Sequence, residues 1–293
     1  MESVNVNNAE QEYEVIGSGE PVLLISPVLA DSFLPLLSEP ALADRHQLIH
    51  YHRRGWVGST HSPPPVSIAD HAGDAAALLD HLDVPHAHVA GHSSGAAIAM
   101  QLALDDPESV HTLLLLEPSL LSVPSGEAFL DGAGPAFEAY QSGDHAGAFA
   151  MFMSGVSGFD WPTCQALLEK RMPGSVAQAI KDADTFFGIE LPSLTEWHFG
   201  AEQAAAIHRP ALSVLGSETE TLWVEVADFL RSALPYVEDC TIDGVGHLLH
   251  IQDPEPVARE MAEFLGRNPM ADEDAQHLVS TTPDNDQSVR WGR

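Results

Sequence analysis

Short apolar segments alternate along the chain with longer segments of mixed polarity. This rhythm predicts a mostly parallel β-sheet whose strands are joined by helices. Each apolar segment is bounded by turn residues, which is typical of strands buried on both faces. The segments predicted as strands are Pro21–Pro27, His46–His52, Ala87–Gly91, His111–Pro118, Ala211–Gly216 and Tyr236–Ile242.

The linking segments predict amphipathic helices. In the stretch that begins at Ser67, apolar residues recur at helical spacing, and Ser67 with Asp70 forms a capping-box pattern. An alanine-rich helix is predicted from Ser94 to Leu104, and a late helix over Asp253–Leu265 has proline near its start. The alternation of these helices with the strands predicts the α/β class.

One region departs from the alternation. Residues 119–200 consist of helical pieces broken by glycine and proline, and they hold eight of the chain's eleven phenylalanines. We therefore predict a helical cap at 119–200, inserted into a core formed by 1–118 and 201–267. Residues 268–293 are polar and lack an apolar period, which predicts a disordered tail.

Composition limits the partners. The formal net charge is −31, and such a surface repels nucleic acid and anionic membranes. The chain lacks both a signal-peptide pattern at its start and a run of about 18 apolar residues, so we expect a cytoplasmic protein. Cys164 and Cys240 fit neither a disulfide framework nor a metal site. The oligomeric state is left open.

A G-x-S-x-G pattern spans Gly91–Gly95 and has Ser93 at its centre. It follows a predicted strand and opens a predicted helix, as a nucleophile elbow requires. The flanking glycines leave room for the tight crossing of strand and helix. The alternative is a glycine-rich turn in which the serine only caps the helix.

Two further motifs join this elbow in a resemblance to α/β-hydrolase-fold proteins over about residues 10–266. The segment Tyr51–Thr60 is similar to the D-x-R-G-x-G-x-S turn of that family. The segment 244–265 resembles its terminal G-x-x-H…P…F-L pattern. The resemblance implies an α/β-hydrolase fold with a mostly parallel central sheet flanked by helices, an inserted helical cap, and a serine nucleophile.

The same resemblance indicates His247 as the catalytic base, in the loop between the last strand and the last helix. A neutral imidazole there would accept the Ser93 proton and return it to the leaving group. His92 adjoins the nucleophile, but neighbouring side chains on an elbow point apart. His250 is expected to enter the turn after the base.

The predicted third catalytic residue, the acid that orients the histidine, departs from the family pattern. Relatives commonly carry aspartate in a G-x-x-D pattern after the strand Ala211–Gly216, where this chain has Thr219. Glu218 or Glu220 would serve as an alternative acid if the loop were shifted. We favour Glu117, which ends an apolar run and needs a partner there. Its placement is similar to that in zearalenone-type lactonases.

The predicted oxyanion hole consists of the backbone N–H groups of Ser94 and Val28. Relatives usually have His-Gly in the loop that contains Val28, whereas this chain has Ser26-Pro27. Other histidine pairs, such as His50 with His52, have alternating spacing but no convergent third ligand in sequence. Packing of strands and turns is the favoured explanation, and no metal or organic cofactor is predicted.

These features together predict a serine hydrolase that cleaves a carboxylic ester or lactone through an acyl-enzyme. The aromatic cap indicates a small apolar substrate. Aromatic and macrocyclic compounds belong to this class. A C–C bond hydrolase and a cofactor-free haloperoxidase-like enzyme would use a similar Ser–His pair. A non-catalytic ligand-binding protein on the same fold is the alternative from another class.

Overall fold

Eight strands form a single mixed sheet within residues 1–270, which are the residues described by the computed structural model. In chain order the strands are β1 (Glu2–Val6), β2 (Ala9–Gly17), β3 (Glu20–Ile25), β4 (His46–Tyr51), β5 (Ala87–His92), β6 (Val110–Leu116), β7 (Ala211–Gly216) and β8 (Val237–Ile242).

The strand order in the sheet is β1-β2-β4-β3-β5-β6-β7-β8. From β4 to β8 all neighbours are parallel, whereas β1, β2 and β4 pair antiparallel. The predicted α/β class and all six predicted strands are confirmed. Each parallel strand is almost wholly buried except β8, which forms the edge of the sheet.

The antiparallel pair β1–β2 was not predicted from the sequence. In β2 the buried positions alternate with glutamates, as expected for a strand with one solvated face. One of these buried positions is Gln11, which is fully buried although it is polar. A buried glutamine conceals the apolar–polar alternation by which such a strand is normally detected.

Fourteen α-helices lie in the described part of the chain. They are α1 (Leu34–Leu37), α2 (Pro40–Ala43), α3 (Ile68–His81), α4 (Ser94–Asp105), α5 (Gly126–Gln141), α6 (His145–Ser157), α7 (Trp161–Arg171), α8 (Ser175–Lys181), α9 (Ala183–Thr185), α10 (Leu191–Glu196), α11 (Ala201–Ala206), α12 (Thr221–Ala233), α13 (Leu249–Gln252) and α14 (Pro254–Arg267). A 3₁₀ turn occupies Pro107–Ser109 and a π-helical turn occupies Phe186–Glu190.

The three predicted helices correspond to α3, α4 and α14. The capping box of α3 is formed as predicted, because Ser67 Oγ accepts from the Asp70 N–H at 3.1 Å and Asp70 Oδ2 accepts from the Ser67 N–H at 2.8 Å. None of the helices in residues 1–270 is long and apolar enough to cross a membrane.

Between β6 and β7 the chain is entirely helical or irregular, from α5 to α11. The division into a core and a cap at residues 119–200 stays a prediction. Of the predicted tail, the first three residues are described, and the Met270 N–H donates to Glu20 at 2.8 Å. The remainder of that tail, residues 271–293, lies outside the described residues.

Two hydrophobic cores cover the two faces of the sheet. Alternate residues of each strand point to opposite faces, so Leu113 joins the core that contains α3 and α4, whereas Leu114 joins the core that contains α14. The helices between β6 and β7 extend the first core. The carboxyl ends of β5, β6 and β7 therefore lie side by side, beneath these helices.

Candidate active site

Ser93 lies at the sharp turn between β5 and α4. Its backbone has φ 54° and ψ −120°, a conformation that is costly for a residue with a side chain. The turn is held by the Ser93 N–H, which donates to the Leu116 carbonyl at 3.0 Å. A Cβ atom at Gly91 would collide with the Gly95 carbonyl, and one at Gly95 with the Ile25 carbonyl. The pattern G-x-S-x-G is thus required by close backbone approach.

Glu117 follows β6 directly and also has a positive φ, of 41°. Its side chain is buried, and both carboxylate oxygens have donors. Oε1 accepts from the Gly216 N–H at 2.7 Å, and Oε2 accepts from Thr219 Oγ at 2.8 Å. Thr219, at the position where the family pattern has aspartate, is therefore a hydrogen-bond donor to Glu117.

The structure brings His247 between Ser93 and Glu117. Its Nδ1 lies 2.8 Å from Glu117 Oε2, and its Nε2 lies 3.2 Å from Ser93 Oγ. An imidazole that donates Nδ1–H to the carboxylate presents its Nε2 lone pair to the hydroxyl. His247 is thus within hydrogen-bond reach of both Ser93 and Glu117, an arrangement that can support acyl transfer.

The alternative acids lie elsewhere. Glu218 is exposed, and its carboxylate is 3.5 Å from Ser217 Oγ. Glu220 is exposed and precedes α12. Among the described residues, the carboxylate in contact with His247 is that of Glu117.

Burial governs the protonation of this pair. It lowers the pKa of His247 to about 3 and raises the pKa of Glu117 to about 7. The hydrogen bonds from Gly216 and Thr219 act against burial and lower the pKa of Glu117. The contact between the two side chains also opposes burial, because a carboxylate stabilises a neighbouring imidazolium. Because burial keeps the pKa of His247 well below 7, the imidazole is neutral and able to accept a proton at neutral pH.

Rings on both sides hold the imidazole of His247. Trp223 stacks on it with ring centroids 3.7 Å apart and planes inclined by 22°. His92 packs against it at 4.6 Å and donates from Nε2 to the His247 carbonyl at 2.8 Å. His250, fully buried in α13, packs in turn on His92. Trp223 was not predicted as a site residue, because its helix carries no motif.

A second serine adjoins Ser93. Ser119 Oγ lies 2.9 Å from Ser93 Oγ, and the Ser119 N–H donates to the Ser93 carbonyl at 3.0 Å. Ser119 was missed at the sequence level, although its position two residues after Glu117 places it at the same strand end.

Comparison with known proteins identifies the family of the chain. A family model described as the alpha/beta hydrolase fold matches residues 30–254. The chain belongs to the α/β hydrolase fold family. Proteins named putative carbamate hydrolase RutD are similar to it. The one from Azorhizobium caulinodans is 39% identical over 109 residues, which are 37% of this chain but only 41% of the relative.

A longer match is found with the RutD protein of Pseudomonas syringae pv. syringae, 28% identical across 77% of this chain and 85% of the relative. Among solved structures, Est816, described as an N-acyl homoserine lactone degrading enzyme, aligns with a TM-score of 0.68 at 26% identity. That alignment covers 89% of this chain and 99% of Est816. The chain is therefore a hydrolase of the α/β type.

Above Ser93 the hydrolase has a narrow apolar cavity of about 20 Å³, lined also by the predicted oxyanion-hole residues Val28 and Ser94. It adjoins an outer cavity of about 280 Å³ between α5, α6 and α12. The two cavities share four lining residues, Phe129, Phe152, Val156 and Trp223. Apolar and aromatic side chains thus connect the outer cavity with the surroundings of the serine.

Proposed function

We propose that this α/β hydrolase cleaves a carboxylic ester or lactone of an apolar substrate through an acyl-enzyme. The observation that supports this most directly is the continuous contact from Glu117 through His247 to Ser93, at 2.8 and 3.2 Å. It is the arrangement that activates a serine hydroxyl for attack on a carbonyl carbon.

In the proposed mechanism, Ser93 Oγ attacks the carbonyl carbon while its proton passes to His247 Nε2. The Glu117 carboxylate stabilises the imidazolium through Nδ1–H. The negative charge on the carbonyl oxygen is assigned to the backbone N–H groups of Ser94 and Val28. Collapse of the tetrahedral intermediate expels the alcohol, which takes the proton from Nε2. Water then attacks the acyl-enzyme with His247 again as base, and the acid and free Ser93 are released.

The substrate class is argued from the cavities. Their walls are mainly apolar and aromatic, which favours ligands with a hydrocarbon or aromatic body and few charges. The net charge of −31 disfavours polyanionic substrates. The similarity to an enzyme described as degrading N-acyl homoserine lactones supports a lactone with an apolar acyl chain.

A carbamate is the second candidate. It is favoured by the name of the curated relatives, putative carbamate hydrolase. The same serine attack on a carbonyl carbon would apply, so the two candidates differ in the leaving group and in the shape of the substrate rather than in the catalytic residues.

The decisive experiment combines a fluorophosphonate probe with a substrate panel of p-nitrophenyl esters, N-acyl homoserine lactones and carbamates. We expect labelling and ester or lactone turnover by the native protein, and loss of both in Ser93→Ala. Ser142→Ala, which removes an exposed hydroxyl of the helical segment, is the matched control and should behave as the native protein. A native protein that is neither labelled nor active would instead support the non-catalytic ligand-binding alternative.

A further inference from the structure

Asp31, His50 and His52 converge beside β4, the strand at which the parallel and antiparallel parts of the sheet meet. One possible ligand atom from each residue lies within 4.8 Å of the others. Asp31 Oδ1 is 3.0 Å from His52 Nε2 and 4.0 Å from His50 Nε2. The histidines come from the end of β4, and Asp31 comes from the loop that follows β3. The sequence showed the histidine pair but not the third residue, because this loop reaches β4 only in the folded chain.

Two glutamates of β2 orient these histidines. Glu14 is paired with His50 in the β2–β4 register, and its Oε1 lies 3.3 Å from His50 Nδ1. Glu12 Oε2 lies 2.8 Å from His52 Nδ1. Carboxylates that hold Nδ1 in this way leave Nε2 free for a metal, and they raise its basicity as a ligand.

The imidazole rings of His50 and His52 carry too few N–H groups for the hydrogen-bond acceptors around them. Besides the two glutamates, Asp31 faces His52 Nε2, and the Ala30 carbonyl lies 3.2 Å from His50 Nε2. All four neighbours are acceptors, whereas two neutral imidazoles carry only two N–H groups. With Nδ1–H donated to each glutamate, both Nε2 lone pairs point at oxygen acceptors. A cation at that point would receive both lone pairs and one carboxylate oxygen.

We infer that Asp31, His50 and His52 bind one divalent transition-metal ion, with Zn²⁺ as the best match. Two imidazoles and one carboxylate form a ligand set that suits zinc, with a fourth position left for water. His50 is fully buried and His52 nearly so, whereas the Asp31 side chain is 31% exposed, which gives the ion a way in. The ion would fasten the loop of Asp31 to β4. It is assigned no step in substrate hydrolysis.

Zn²⁺ binding to chelator-stripped protein tests the inference by isothermal titration calorimetry, and Co²⁺ absorption reports the ligand geometry. The native protein should bind one equivalent that is lost in Asp31→Asn and in His52→Gln. Glu12→Gln should weaken binding by about 10–100-fold, because it removes the negative charge of the group that orients His52 but none of the three ligands. His208→Gln, which removes an exposed histidine, is the matched control and should retain the native site.

The alternative is a purely ionic cluster in which His52 carries a second proton. It predicts that the native protein and Asp31→Asn bind Zn²⁺ equally, or that neither does, and either result would overturn the inference. Asp31 lies in a partly exposed loop, so Asp31→Asn is expected to fold, and circular dichroism checks this. Zn²⁺ should also raise the thermal midpoint of the native protein but not that of Asp31→Asn.

Discussion

The guanidinium of Arg53 and the carboxylate of Glu190 form an ion pair of 2.7 Å in which both side chains are almost fully buried. The two residues are 137 positions apart. Arg53 also donates to the carbonyls of Ser26 and Pro27, and Glu190 accepts from Ser94 Oγ. One buried network therefore joins the helical segment between β6 and β7 to the two chain segments that carry the predicted oxyanion-hole groups.

The first prediction concerns the stability of this network. Glu190→Ala leaves the Arg53 charge buried without a partner, so the free energy of unfolding should fall by about 3–5 kcal/mol. Urea denaturation at neutral pH measures the change. Glu108→Ala is the control, because Glu108 is 91% exposed in its pair with Arg209. Its loss should cost about 0–1 kcal/mol.

A double substitution separates the charge from the packing. Arg53→Met combined with Glu190→Leu removes both charges at similar volume and should recover much of the lost stability. If Glu190→Ala is no more harmful than Glu108→Ala, the ion pair does not hold the two parts of the chain together.

The second prediction concerns the acid of the proposed triad. Glu117→Gln removes the negative charge that orients and stabilises the His247 imidazolium, so kcat should fall by about 10⁴-fold. Ester or lactone hydrolysis at saturating substrate measures it. Glu218→Gln and Glu220→Gln are the matched controls and should remain close to native activity. The assignment is reversed if either control loses activity while Glu117→Gln retains it.

The third prediction concerns pH. Since burial raises the pKa of Glu117 to about 7, the carboxylate takes up a proton as the pH falls through that value, and activity should be lost on the acid side. Thr219→Val removes a hydrogen-bond donor that stabilises the Glu117 carboxylate, so the pKa of Glu117 rises further. The acid limb of kcat/KM should then move upward by about one to two pH units.

Thr219→Ser keeps the hydroxyl and should keep the native pH profile. An acid limb that stays in place in Thr219→Val would mean that Glu117 does not set it.

The fourth prediction concerns the route to the serine. A Cβ at Gly132 or at Gly134 has no neighbour within 4 Å, and both residues belong to α5, but only Gly132 lines the outer cavity. Gly132→Leu should therefore lower kcat/KM for long-chain or bulky esters by about tenfold, while acetyl esters are unaffected. Gly134→Leu should change the ratio of kcat/KM between bulky and acetyl esters far less. Equal effects of the two substitutions would argue against this route.

Much of the fold follows from the sequence because parallel strands buried on both faces are read directly as apolar runs. The antiparallel strand β2 was missed since the buried Gln11 interrupts its apolar–polar alternation, and its partner β1 was missed with it. The elements that bear Ser93, Glu117 and His247 were also foreseeable, because each of these residues follows a strand and strand ends meet at one edge of the sheet.

The partners of those residues were not foreseeable. Trp223 stacks on His247 from a helix without a motif, and Arg53 pairs with Glu190, which is 137 positions further along the chain. Asp31 completes its cluster through the path of an irregular loop. Such contacts depend on tertiary packing, for which a single sequence has no local signal.

The π-helical turn at Phe186–Glu190 has a consequence for how the hydrolase tolerates changes in length. A π-helical turn holds an extra residue compared with an α-helical one. Deleting one residue from it would restore α-helical geometry and rotate the chain that precedes it by about 100° relative to Glu190. Substitutions at solvent-facing positions of this turn leave the rotational position of the preceding chain unchanged, whereas a deletion does not. The registration of the helical segment on the core is thus set by a count of residues as much as by their identity.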